Sequence, residues 1–150
     1  MYLNGLVVKQ DYKKAFEWFE KAAEQGNANA QFNLGLMYAN GHGVKQDYKK
    51  AVEWFEKAAE QGNAEAQFNL GVMYTNGYGV RQNHKKAVEF YEKAAAQNMP
   101  EAQNNLGHAY LNGLGVRQNK VKAKEYFGLA CDNGLQLGCD TYREMNEGKL

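Results

Sequence analysis

The chain contains no serine. That absence removes every mechanism built on a serine nucleophile, including the Ser-His-Asp hydrolases. Proline is nearly missing too, with Pro100 the sole copy. Cysteine is limited to Cys131 and Cys139, and without a CxxC pair a thioredoxin-like redox role is a poor fit. No apolar run approaches the ~18 residues needed to cross a bilayer, and no signal-peptide pattern opens the chain. Eighteen basic residues against seventeen acidic ones leave a net charge of +1. The basic excess of a nucleic-acid binder is lacking, and lysines alternate with glutamates, so nucleic acid is not an expected partner. His42, His84 and His108 have no second histidine or cysteine at ligand spacing, whereas a zinc site needs several convergent ligands. No metal or other cofactor is expected.

What the chain does have is itself, repeated. "MYLNG" at the start returns as "MYANG", "MYTNG" and "AYLNG". Aligning 27–62 with 63–98 gives about 25 identities in 36 positions, and the frame continues more loosely through 99–134. Extended backwards, it leaves 1–26 as a unit that has lost its front half. Each unit reads as two helices. In the first, Ala30, Leu34, Tyr38 and their equivalents form one stripe at spacings of four, with Asn27 and Asn63 suited to its N-cap. Pro100 falls in a first turn, where proline is tolerated. "NGxGV" then turns the chain, and Asp47, Asn83 and Asn119 suit the next N-cap. The second helix buries Ala51, Phe55, Ala58 and Ala59 and stops at Gly26, Gly62, Asn98 or Gly134. Gly35, Gly71 and Gly107 recur inside the first helix, where glycine costs about 1 kcal/mol against alanine. A close approach of two helix backbones would account for them. The loop glycines lack the spacing and the Lys-Ser/Thr of a phosphate loop. Trp18, Trp54, Phe90 and Tyr126, with Phe19, Phe55, Tyr91 and Phe127, are expected in the core. Lys49–Glu53–Lys57 and its equivalents 13–21 and 85–93 are expected as i,i+4 ion pairs on an outer face.

The residues Ala30, Leu34, Gly35, Tyr38, Gly41, Gly43 and Val44, followed by Lys50, Ala51, Trp54, Lys57, Ala58, Ala59 and Gly62, carry a pattern that resembles the Sel-one-like repeat (SLR) family. The likeness covers nearly the whole chain. It implies an all-α fold, a right-handed α-solenoid of stacked antiparallel helix pairs with about eight helices. It would form a single domain, with partial unit 1–26, full units 27–62, 63–98 and 99–134, and a capping helix in 135–150. Val7 departs from the pattern at the second loop glycine, and after Cys139 the frame degrades. Asp140, Arg143, Glu144 and Glu147 have the polarity of a solenoid cap. Tyr2, Leu3, Leu6, Val7, Val8 and Phe16 do not, so further repeats before Met1, or self-association through this end, are expected.

Cys131 and Cys139 fall at a second helix's end and in the first turn of the next, where a disulfide or two buried thiols would both fit. Their eight-residue offset resembles the cysteine-rich secreted branch of the family, which implies a disulfide and a periplasmic or secreted location, with the cytoplasm as alternative. The family resemblance further implies a non-enzymatic adaptor or scaffold that binds a protein or peptide on its concave face. The candidate residues are those left on the first helices once the core stripe is removed: Asn29, Asn33, Leu36 and Asn40; Glu65, Asn69, Val72 and Asn76; Glu101, Asn105, His108 and Asn112. Amides can clamp an extended peptide backbone, offering both donor and acceptor. Surface residues kept by duplication would give the same ladder. Two other readings stand beside the adaptor. One is an enzyme or binder acting on β-lactams or cell-wall precursors, which without serine would need another nucleophile. The other is a purely structural piece of a longer solenoid.

Overall fold

A computed structural model describes the backbone of residues 2–150 and the side chains of residue 9 and residues 11–150. Eight α-helices follow one another among these residues: α1 Tyr2–Glu24, α2 Ala28–Asn40, α3 Tyr48–Glu60, α4 Ala64–Asn76, α5 His84–Ala95, α6 Pro100–Asn112, α7 Lys120–Asp132 and α8 Gln136–Asn146. No strand occurs among them. Each helix packs on its neighbours in the chain, so the fold is an α-solenoid of helix pairs.

The ends of these helices are written locally. Asn27 and Asn63 accept from the amides of Ala30 and Ala66, and Asp47, Asn83 and Asn119 accept from those of Lys50, Lys86 and Lys122. A cap of this kind satisfies one of the amides a helix start leaves open. Pro100 takes the first helical position of α6. Gly41, Gly77 and Gly113 end α2, α4 and α6 in the left-handed region, each donating its amide back to the helix. The following loop glycine is held for a different reason. A β-carbon on Gly43 would strike the backbone carbonyl of Tyr12, so each loop sits directly on the preceding unit.

At the N-terminus the expected turn is absent. α1 runs unbroken through the register of that loop, where Val7 replaces the second glycine. A β-branched residue resists the positive φ such a turn requires. The side chains of Tyr2, Leu3, Leu6, Val7 and Val8 lie outside the described residues. Phe16 is half-buried, edge-on to Tyr38 at 5.5 Å.

The core consists of Ala30, Leu34 and Tyr38 with Ala51, Phe55, Ala58 and Ala59, and their equivalents in later units. Gly35, Gly71 and Gly107 answer to it differently from expectation. An aromatic ring stands against each one: Phe55 on Gly35, Tyr91 on Gly71, Phe127 on Gly107. The glycine makes room for a ring rather than for a second backbone. The outer aromatic column also departs from expectation. Trp54, Phe90 and Tyr126 are half-buried, and Trp18 is 73% exposed. The outer lysines lie over rings instead of pairing with glutamates: the Lys57 ammonium is 4.3 Å from the Trp54 ring centre, and Lys93 is 5.3 Å from that of Phe90. Among the described residues the ion pairs are Arg143–Asp140 and Lys149–Glu147.

The chain carries a polar device between units that the sequence reading missed. Gln31, Gln67 and Gln103 are buried. Each donates to a carbonyl in the last turn of the preceding second helix, Ala23, Ala59 or Ala95, at 3.2–3.3 Å. Each also accepts from the amide side chain just beyond the following one, Gln61, Gln97 or Asn133, at 2.8–2.9 Å. One glutamine thus ties three successive helices while leaving its own polar atoms satisfied.

Candidate functional site

α2, α4 and α6 present all twelve candidate residues at exposed or half-buried positions. Asn29, Asn40, Glu65, Asn76, Glu101 and Asn112 are exposed, whereas Asn33, Leu36, Asn69, Val72, Asn105 and His108 are half-buried. Several amides are partly engaged by their own helix. Asn33 donates to the Asn29 carbonyl at 2.9 Å, Asn76 to Val72 at 3.0 Å and Asn112 to His108 at 3.1 Å. Asn63 reaches across to Asn29 at 3.4 Å.

Four of the twelve converge. Val72 and Asn76 of α4 with Asn105 and His108 of α6 line a cavity of about 290 Å³, whose walls also include Val88, Ala109 and Leu114. Its floor holds two hydroxyl groups that sequence reasoning passed over, Thr75 and Tyr91. The Thr75 hydroxyl donates to the Gly71 carbonyl at 2.8 Å, which uses its one proton. At 3.1 Å from it, the Tyr91 hydroxyl must therefore be the donor of that pair. Donation runs from Tyr91 through Thr75 to the Gly71 carbonyl, and the Asn105 side chain lines the cavity beside this pair. Burial holds the Tyr91 hydroxyl above the ordinary tyrosine range, against smaller opposing pulls from Thr75 and Asn105.

The signal for this network lay in the repeat's exceptions. Tyr91 stands where other units have Phe55 and Phe127, and Thr75 where they have Ala39 and Leu111. Asn69, the equivalent of Asn105, has Phe55 in that register, with no hydroxyl beside it. A second exception lies nearby: Asn104 replaces Phe32 and Phe68, and its buried oxygen has no partner among the described residues. Here His108 makes an edge-on contact with the Phe127 ring, 4.9 Å between centres, and burial lowers the pKa of its imidazole.

Cys131 and Cys139 form a disulfide joining α7 to α8. No cluster of metal-ligating side chains occurs among the described residues. His42 stacks on Tyr12 at 4.4 Å, and His84 opens α5. Among the described residues no helix is long and apolar enough to cross a membrane. α8 is only partly polar: Asp140 and Arg143 pair at 3.3 Å, yet Leu137 and Tyr142 are exposed beside them.

Four matches to the Sel1 repeat, over residues 1–27, 28–63, 64–99 and 100–135, decide the family. The chain belongs to the Sel1 repeat family. Sel1 repeat proteins are helical-repeat scaffolds that typically mediate protein interactions. Solved structures agree. A protective antigen of uropathogenic Escherichia coli strains, displaying an SLR fold, is 41% identical with a TM-score of 0.85, over 88% of this chain and 28% of that one. A Sel1 repeat protein from Oxalobacter formigenes is 36% identical with a TM-score of 0.84, over 95% of this chain and 58% of that one. The cysteine rich protein B of Helicobacter pylori is 30% identical with a TM-score of 0.71, over 89% of this chain and 96% of that one. The chain thus spans less than two thirds of the first two. No curated protein matches it.

Proposed function

We propose that this Sel1 repeat chain is a non-enzymatic adaptor or scaffold that binds an extended segment of a partner protein along the exposed face of α2, α4 and α6, the concave side of its solenoid. The observation that carries this reading is the α4–α6 cavity, where Asn105 stands beside an apolar recess of Val72, Val88 and Leu114 over the Tyr91–Thr75 hydroxyl pair. A side-chain amide set beside an apolar recess matches what a peptide presents: a backbone N–H next to a side chain. A periplasmic or secreted location goes with this reading. It is supported by the disulfide, and by neighbours that are a protective antigen and a cysteine-rich protein.

Panning a random-peptide phage library against the purified chain tests it. The selected peptides should share one apolar residue and lose binding to a variant carrying Asn33→Arg, Asn69→Arg and Asn105→Arg. Tyr91→Phe should weaken them roughly tenfold, the worth of one well-placed hydrogen bond to a buried network. Phenylalanine at 55 and 127 shows that the fold accepts that ring. No enrichment, or equal binding to the triple variant, would refute the reading.

A further inference from the structure

Two of the chain's three histidines line one cavity. His84 at the start of α5 and His108 of α6 both stand half-buried on the walls of the α4–α6 recess, with Val72, Val88 and Leu114. The repeat does not supply this pair. One unit earlier the same registers hold Tyr48 and Val72, and one unit later Lys120 and Glu144. This junction alone sets two imidazoles against an apolar space, and imidazole is the side chain whose charge ordinarily changes in mild acid.

The recess offers a protonated ring no counter-ion. No carboxylate lines it. Around His108, α4 contributes Val72, Thr75 and Asn76, α5 contributes His84 and the Tyr91 hydroxyl, and its own helix contributes Asn105. From α7 the Phe127 ring meets it edge-on. Every charged side chain of α4, α5 and α6 is exposed, Glu65, Glu92 and Glu101 included. Those of α7 and α8 are exposed as well, Glu144 at the His108 register among them, except for two. Lys124 lies over the Tyr142 ring, and Asp140 pairs with Arg143. Burial accordingly lowers the pKa of His108. A guest that fills the recess strips more water from both rings and disfavours their charged forms further. Guest and proton therefore compete, and by linkage each weakens the hold of the other.

We propose that the α4–α6 recess is an acid-released seat, holding an uncharged apolar side chain of the partner while His84 and His108 are neutral and expelling it when they take up protons. The proposal rests on the peptide-binding reading above and adds its control. The guest is apolar because Val72, Val88 and Leu114 give it nothing else to contact, and uncharged because no charged side chain but the two imidazoles adjoins it.

The test uses N-acetyl-leucine amide, a probe with one apolar side chain and no charge, titrated into the whole chain and followed by two-dimensional NMR. At pH 7.5 it should shift the resonances of Val72, His108 and Leu114. At pH 5.5, with the helices shown intact by circular dichroism, its affinity should be about threefold or more weaker. Saturating probe should also lower the pKa read from the His108 ring resonances. His84→Tyr with His108→Val installs the residues of the preceding unit, which the fold already accepts at these registers. In that variant the affinities at the two pH values should agree within about 1.5-fold, since neither new side chain gains a proton in this range. Equal affinity at both pH values in the wild type would overturn the proposal, as would a pH effect that survives in the double variant. Tighter binding in acid would overturn it too, and so would a probe that moves none of these resonances at pH 7.5. Peptides from the phage panning that bind alike at pH 7.5 and 5.5 would leave the adaptor reading standing and sink this one alone.

Discussion

The Phe55 ring stands on Gly35, with its Cε1 atom 2.6 Å from the place a β-carbon would occupy. Two effects of opposite sign meet at such a glycine. Alanine would gain about 1 kcal/mol of helix propensity, while overpacking a fixed ring costs about 1–3 kcal/mol. Phe55 and Phe127 are almost fully buried, which leaves their rings little room to swing.

Gly107→Ala should therefore lower stability by about 1–2 kcal/mol despite being a better helix former. Urea titration followed by circular dichroism measures it. A raised midpoint would show that the Phe127 ring can move aside.

Removing a glutamine staple should cost more than its small size suggests. Gln103→Leu removes a hydrogen bond from the Ala95 carbonyl, which keeps the Asn98 amide, and another from the exposed Asn133 side chain. The expected loss is about 1–2 kcal/mol, the net worth of two hydrogen bonds. An equal loss from Asn133→Ala, with the double variant no worse than either, would show that the two residues act as one unit.

Reducing the disulfide should loosen one end of the chain only. It closes a short loop between α7 and α8, for which the chain-entropy account gives about 2.5 kcal/mol. Hydrogen exchange after reduction should speed up in α8 and stay unchanged in α3 and α4. Uniform acceleration would contradict this.

His108 should make the fold sensitive to mild acid. Its pKa is lowered in the folded state by burial, so the unfolded chain binds the proton more readily. Stability is then full above the unfolded value near 6.5 and falls as pH drops through it toward the folded value. Urea midpoints at pH 7.5 and 5.5 should differ more for the wild type than for His108→Gln. Equal differences would assign the change to other groups.

Much of this architecture was legible because the repeat prints each instruction several times. Caps at Asn27, Asp47 and Asn83, the turn glycines and the Leu34 stripe act within a few residues of themselves, so spacing alone reveals them. The pairing of Cys131 with Cys139 was left between two readings until α7 and α8 were in place. The role of Gln31, Gln67 and Gln103 was hidden because a glutamine looks alike in sequence whether it faces water or joins three helices. Gly35 misled because a gap shows that room is needed, not whether a backbone or a ring fills it. At the α4–α6 cavity, Asn105 and His108 stood out by register. Thr75 and Tyr91 did not, since each breaks the repeat by a single hydroxyl whose partner lies on another helix.

The glutamine staple makes the units interchangeable parts. Every junction presents the same socket, a carbonyl in the last turn of a second helix, and the same plug, a buried amide one helix further on. An inserted copy of 63–98 would meet both neighbours with their own hydrogen bonds already provided. Growth by whole units then needs no new fit to be invented, whereas insertion of any other length would misalign plug and socket at once.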